Sequence, residues 1–319
     1  MKKHLIFYPL LFLFIIMEFS CSALNPGYYD LGNDAFNKKK YFLALEEYTK
    51  AINNDPNDVL AYYGRAKTKS RLKKDKAAID DYTIALVVNP DFGPAYLGRG
   101  TSYLILEDFD NALNDLNRAI DLTPDNPHAY FGRAYTKSLL GDAEGALQDY
   151  NKTIELDRKY ENAYINRGNV KADLDDHLGA INDFTTALEI DSTDINAYIN
   201  RGTDKGIIGD YEGAIEDFST AISLDPSNTE LFFMRGEAKN MMDRYNDAIK
   251  DFTKIIGINK KEAKAYYRRG LDYIAIKNKN QGCKDLLTAG DLGYFEAYEA
   301  INKYCKREKK RHYLPQKKK

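Results

Sequence analysis

The sequence predicts an all-α fold, a solenoid of antiparallel helix pairs stacked in chain order, and three observations carry that prediction. A six-residue motif recurs every 34 residues without insertion or deletion: AYYGRA from Ala61, AYLGRG from Ala95, AYFGRA from Ala129, AYINRG from Ala163 and again from Ala197, LFFMRG from Leu231 and AYYRRG from Ala265. GYYDLG from Gly27 extends the series one step earlier, making eight repeats. Within each repeat a second set of apolar positions is spaced by four and then three residues, which places them on one stripe of a helix. Finally, 44% of the 319 residues are hydrophobic, enough for a core, yet one 34-residue repeat cannot bury its apolar face alone and needs its neighbours.

The chain opens on an address rather than on structure. Lys2 and Lys3 precede an apolar run from Leu5 to Met17, followed by Ser20, Cys21, Ser22 and Ala23. As a helix such a run spans about 20 Å, short of the roughly 30 Å hydrocarbon core of a bilayer, so it reads as a signal peptide over residues 1–20. It resembles a bacterial lipoprotein signal, which implies acylation of Cys21 as the lipid anchor and first mature residue. Ser20 fits that pattern and Glu18 departs from it. The alternative is ordinary cleavage after Ala23, giving a leader of residues 1–23. Either reading exports the mature chain to the cell envelope.

Residues 25–296 then hold the eight repeats. In the second helix of each, a small residue stands at Ala44, Ala78, Ala112, Ala146, Ala180, Ala214, Ala248 and Gly282. An aromatic or leucine follows four positions later: Tyr48, Tyr82, Leu116, Tyr150, Phe184, Phe218, Phe252 and Leu286. The small residues let two backbones approach, and the larger side chain fills the space beside them. Pro56, Pro90, Pro124 and Pro226 mark breaks between repeats.

This pattern resembles the tetratricopeptide repeat family, whose unit is a 34-residue helix-turn-helix. With the unit begun at Asn25, the aromatic expected at position four is Tyr28, Tyr62, Tyr96, Tyr130, Tyr164, Tyr198, Phe232 or Tyr266. The small residue at position eight is Gly32, Ala66, Gly100, Ala134, Gly168, Gly202, Gly236 or Gly270. The resemblance implies a right-handed superhelical solenoid, with an extra capping helix over residues 294–305. The final proline is replaced by Arg158, Ser192, Lys260 and Tyr294 in repeats four, five, seven and eight.

Position seven departs further from the family, whose usual residue there is leucine. Repeats two to eight carry Arg65, Arg99, Arg133, Arg167, Arg201, Arg235 and Arg269, and an acid stands sixteen residues beyond each, from Asp81 to Asp285. A ladder of ion pairs follows. Repeat one has Leu31 but keeps Glu47, as expected if each arginine reaches back to the acid of the preceding repeat; pairing within each repeat is the other arrangement. Both are structural.

Charge and chemistry exclude other functions. The net charge of −2 divides into +1 over residues 1–20, −11 over 21–302 and +8 over 303–319, an acidic body with a basic end, unlike a nucleic-acid binder. His4, His128, His177 and His312 are scattered, and no phosphate loop, nucleophile elbow or complete calcium loop occurs. No catalytic residue, metal, cofactor or small-molecule substrate is therefore expected, and the protein reads as non-enzymatic. Cys283 and Cys305 lie symmetrically about residue 294, at the same height in an antiparallel hairpin. Outside the cytoplasm a disulfide would close the cap; two free core thiols are the alternative. The tail, residues 306–319, lacks apolar periodicity.

Such arrays hold extended peptides or proteins on the wall made by first helices. By family geometry the wall takes positions two, five, six, nine, twelve and thirteen. Gly64, Gly98 and Gly132 at position six leave open backbone there. Repeats five and six instead supply Asn162, Asn166, Asn196 and Asn200, with Asn169 one turn on, and amides both donate and accept. This resembles the asparagine ladders of peptide-binding repeats; solvated helix-surface asparagines are the competing reading. Phe131, Tyr135, Ile165 and Ile199 would add apolar contact. The clamp that grips chaperone C-termini is rejected, because position five is never lysine although Lys264 and Arg268 match its last part. The expected function is a protein-interaction scaffold at the bacterial envelope, with an envelope assembly or structural lipoprotein, acting through its convex face and tail, as the alternative.

Overall fold

A computed structural model describes residues 27–305. The leader, Cys21 and the tail from residue 306 lie outside the described residues, among which no helix is long and apolar enough to cross a membrane. The described residues form seventeen helices and no strand. They fall into two compact halves that divide after Arg158.

The first half contains repeats one to four: α1 (Tyr28–Asn37), α2 (Tyr41–Asn54), α3 (Val59–Arg71), α4 (Asp75–Val88), α5 (Gly93–Ile105), α6 (Phe109–Leu122), α7 (Pro127–Leu139) and α8 (Ala143–Leu156). The second contains repeats five to eight and a cap: α9 (Glu161–Asp173), α10 (His177–Ile190), α11 (Ile195–Ile207), α12 (Tyr211–Leu224), α13 (Thr229–Asn240), α14 (Tyr245–Ile258), α15 (Ala263–Ala275), α16 (Lys279–Asp291) and α17 (Glu296–Tyr304). Within each half every helix packs on the next in sequence. First helices of neighbouring repeats also touch, α1 with α3, α3 with α5, α5 with α7 and, in the second half, α9 with α11, so they share one inner face.

Turn chemistry explains the regular breaks. Position fifteen of every repeat adopts a left-handed backbone: Lys39, Lys73, Glu107 and Gly141 in the first half, Asp175, Gly209, Asp243 and Lys277 in the second. The next residue often caps the second helix, as Asp108, Asp142, Asp176, Asp210 and Asn278 do by accepting a backbone N–H three residues on. The repeats that lack the final proline still turn. Asp191 accepts from the Thr193 N–H and Asn259 from the Lys261 N–H, the same local turn that Asp55 makes beside Pro56. A side-chain acceptor one residue earlier thus does the work of the ring.

The recurrent small residues, Ala44 through Ala248, are fully buried, and Tyr48, Tyr150, Phe184, Phe252, Leu116 and Leu286 beside them are less than 2% exposed. A Cβ on Gly168 would stand 2.8 Å from the Phe184 ring, so the close helix approach there depends on glycine.

The arginine ladder resolves in favour of pairing within each repeat. All seven arginines grip their own repeat's aspartate through Nε and Nη2, at 2.6 to 3.1 Å. The backward reach survives in a weaker form. Nη1 of Arg65, Arg99, Arg133, Arg201, Arg235 and Arg269 donates to Thr49, Thr83, Asn117, Thr185, Ser219 and Thr253, each on the preceding repeat's second helix. The planar fork therefore ties its own two helices and touches the previous repeat, which a lysine could not do. Glu47, with no arginine in its repeat, pairs with Lys50. Sequence reasoning missed a second cation: Lys69, Lys137, Lys171, Lys205 and Lys239 also reach the ladder aspartates, at 2.6 to 2.9 Å.

At the C-terminal end α17 buries Ala297 and Ala300, and the Tyr298 hydroxyl donates to the Gly290 carbonyl. Cys283 and Cys305 are joined by a disulfide, with Cα atoms 5.5 Å apart.

Candidate functional site

The five asparagines come together on two touching first helices of the second half, α9 and α11. Asn162 and Asn196 stand exposed near the helix starts, and Asn166, Asn169 and Asn200 are half-buried. They are not uniformly free. Asn200 Nδ2 donates to Asn169 Oδ1 at 2.9 Å, joining repeats five and six, and Asn166 Nδ2 donates to the Asn162 carbonyl at 2.8 Å. These bonds orient three amides. Asn200 Oδ1, Asn166 Oδ1 and Asn169 Nδ2 remain as two acceptors and a donor on one face, a set suited to main-chain N–H and C=O groups. Glu161 begins the same α9, and burial pushes its carboxyl up, with Asp194 and Asp191 adding to the effect.

Phe131 and Tyr135 lie on α7 in the first half. Their rings are parallel with centroids 6.5 Å apart, and Phe131 also tilts against Tyr150 at 5.9 Å. Tyr135 is exposed and Phe131 half-buried. Ile199 is half-buried, but Ile165 is buried and offers no contact surface.

The glycines expected to leave open backbone do not. A Cβ on Gly64 would stand 2.6 Å from the Tyr48 ring, one on Gly98 2.5 Å from Tyr82 Cζ, and one on Gly132 3.0 Å from Leu116 Cδ2. The side chain of the preceding repeat already fills each space. Sequence spacing identified the glycines but carried no information about which neighbour's ring they admit.

Two further inner-face contacts went unread. On α13 and α15, Arg268 Nη2 lies 2.6 Å from Glu237 Oε2, and the Lys264 ammonium sits 4.1 Å from the Phe233 ring centroid. His177 is also no solvated surface residue, since its Nδ1 lies 2.8 Å from Asp204 Oδ1. These contacts join adjacent repeats across separations of 31 and 27 residues, which the 34-residue period does not single out. Among the described residues no three His, Cys, Asp or Glu side chains converge as a metal would require.

Comparisons with known proteins agree with this architecture. Residues 100–141 match a family profile described as TPR repeat, and residues 127–160, 161–194 and 195–228 match one described as tetratricopeptide repeat. Among solved structures, a tetratricopeptide repeat protein from Parabacteroides merdae is 21% identical, with a TM-score of 0.53 over 78% of this chain and 99% of its own. MamA protein is 24% identical, with a TM-score of 0.50 over 56% of this chain and 94% of its own. YrrB, a TPR protein with an unusual peptide-binding site, is 23% identical, with a TM-score of 0.50 over 60% of this chain and 97% of its own. None of the curated proteins compared is similar to the chain. Residues 100–228 thus match tetratricopeptide repeat profiles, and the helix pairs on either side keep the same 34-residue register.

Proposed function

We propose that the protein is a non-enzymatic interaction scaffold that holds an extended peptide or a protein segment on the face formed by its first helices. Tetratricopeptide repeats serve generally as protein-interaction scaffolds, so the open question is which surface carries the contact. The observation that supports α9 and α11 is the oriented amide set of Asn166, Asn169 and Asn200. An extended peptide has a donor and an acceptor on every residue, and amides fixed by their own hydrogen bonds meet them at lower entropic cost than free side chains.

We place the protein outside the cytoplasm, in the cell envelope, with Cys21 as its lipid anchor. The leader pattern before Cys21 supports this, and so does the bond between Cys283 and Cys305, since disulfides persist in oxidising compartments. Several acyl chains on one cysteine would hold the chain firmly, where a single chain binds marginally.

Affinity capture from the native organism with wild-type protein and with an Asn166→Ala/Asn200→Ala variant tests the reading. The variant is expected to keep its helical circular dichroism and to lose the principal partner. An unchanged set of captured partners would reject this face as the binding surface and favour the outer face and the tail.

A further inference from the structure

In each half, position ten of a first helix meets position seventeen of the preceding repeat, the first residue of its second helix. Ser102 Oγ donates to Asp75 Oδ1 at 3.2 Å, and Asp204 Oδ1 lies 2.8 Å from His177 Nδ1. Each buried acid at such a joint thus has a polar partner. At the joint of repeats seven and eight, position seventeen does not supply the partner, and the Asn240 amide from α13 meets the acid instead. Position ten of α15 is Asp272 and its counterpart is Tyr245, whose hydroxyl donates to Asp243 instead. Asp272 is 3% exposed, and its Oδ2 is buried with no hydrogen-bond partner.

Three more buried polar atoms nearby also lack partners: Glu237 Oε1 and Asn240 Oδ1 from α13, and Arg268 Nε one helical turn before Asp272. The spot holds three acceptors in want of a hydrogen and one donor. A proton on Asp272 supplies a hydrogen to the acceptors. Loss of that proton leaves a buried charge, which the nearest cation must answer. Arg268 and Asp272 are four residues apart on one helix, within side-chain reach, and Arg268 is at present committed to Glu237 at 2.6 Å.

We infer that Asp272 is a protonation switch at the joint of repeats seven and eight: protonated, it leaves Arg268 on Glu237, and ionised, it draws Arg268 away and alters the inner face there. Lys239 from α13 is held by Asp251, Lys264, one turn before Arg268, sits over the Phe233 ring, and Tyr294 packs against Tyr267. From α14 comes Tyr245, held by Asp243; from α16, Asp285, held by Arg269; from α17, Lys303, over its own Tyr304. Burial pushes the Asp272 carboxyl up to about 7; the Asn240 amide opposes this, the Glu237 charge adds to it and Arg268 opposes it. Since the folded value lies above the ordinary one near 3.8, the folded state holds the extra proton between them. Stability from this group is full below about pH 4, falls as pH rises and is lost above about pH 7.

The test uses the full chain. Side-chain carboxyl resonances of 13C-aspartate-labelled protein are followed from pH 4 to pH 9, with Asp272 assigned through Asp272→Asn, while 15N-arginine labelling reports Arg268 Nε. The expected result is an Asp272 midpoint near neutrality and an Arg268 shift at the same midpoint that is absent from Asp272→Asn. Tyr245→His, which places an imidazole where His177 stands beside Asp204, is expected to lower that midpoint. Thermal unfolding gives a second readout: between pH 5 and pH 8 the wild type should lose at least about 3 °C more than Asp272→Asn does. An Asp272 midpoint in the ordinary carboxylate range, an Arg268 resonance that ignores it, or the same pH loss in both proteins would overturn the switch.

Discussion

In the first half the side chain at position 24 reaches beneath the next repeat's first helix: Tyr48 under Gly64, Tyr82 under Gly98, Leu116 under Gly132. In the second half the 34-residue register sets Phe184 against Asn200, Phe218 against Met234 and Phe252 against Arg268. A tyrosine ends in a hydroxyl that occupies the space where a Cβ would begin; the Tyr48 hydroxyl donates to Asn33 at 2.7 Å. Phe184, Phe218 and Phe252 stand in register with residues that carry a side chain at position six. Where the position-24 side chain fills the space above it, the face over Tyr48, Tyr82 and Leu116 is bare backbone.

The largest effect that sharpens this comparison lies in the ladder. Asp183 is fully buried and answers two cations, Arg167 and Lys171, whereas Asp115 answers Arg99 alone, with Tyr103 at the lysine position. Removing one member of a buried pair leaves an uncompensated charge and costs about 3–5 kcal/mol. Asp183→Ala is expected at the top of that range and Asp115→Ala below it, read from urea unfolding midpoints. Equal losses would mean that the second cation adds nothing.

A smaller effect tests the exchange at position six directly. Gly98→Asn installs the second half's residue in the first, where its Cβ would collide with a Tyr82 ring that is only 3% exposed and has no room to move. Overpacking of this kind costs about 1–3 kcal/mol. Tyr82→Leu in the same chain removes the ring carbons that would stand 2.5 and 2.6 Å from that Cβ, together with the hydroxyl, and should restore part of the loss in thermal midpoint. If the double variant is no more stable than Gly98→Asn, the Tyr82 ring is not what keeps position six empty.

The repeat was legible in the sequence because its signals are local: the 34-residue motif, the stripe spaced by four and three, and the prolines all sit within one hairpin. The symmetry of the cysteines about residue 294 left a disulfide and two free thiols open, and the fold joins them. What lay hidden is what one repeat does to the next. Spacing placed each arginine in phase with two acids, and only packing directs Nε and Nη2 of Arg65 to Asp81 and its Nη1 to Thr49. The same holds for Gly98, whose neighbour is sixteen residues back on another helix, and for Ile165, apolar at a predicted face position yet turned into the core. Among the asparagines, composition identified the amides, and the Asn169–Asn200 bond that orients them joins residues 31 apart.

The smallest effect concerns the turn that both halves share. Position fifteen is left-handed throughout, with φ of 58° at Lys73 and 86° at Gly209, so the backbone demand is the same whichever residue meets it. For an L-residue with a Cβ that conformation is unfavourable by roughly 1–2 kcal/mol, while glycine enters it freely at some cost in unfolded-chain entropy. Lys73→Gly should therefore gain about 0.5–1 kcal/mol and Gly209→Ala lose about 1 kcal/mol, opposite signs from changes at equivalent positions. Thermal unfolding of the two single variants separates this from a composition effect. Shifts of the same sign would show that the first half's turn, unlike the second's, is held by its lysine side chain rather than by its backbone.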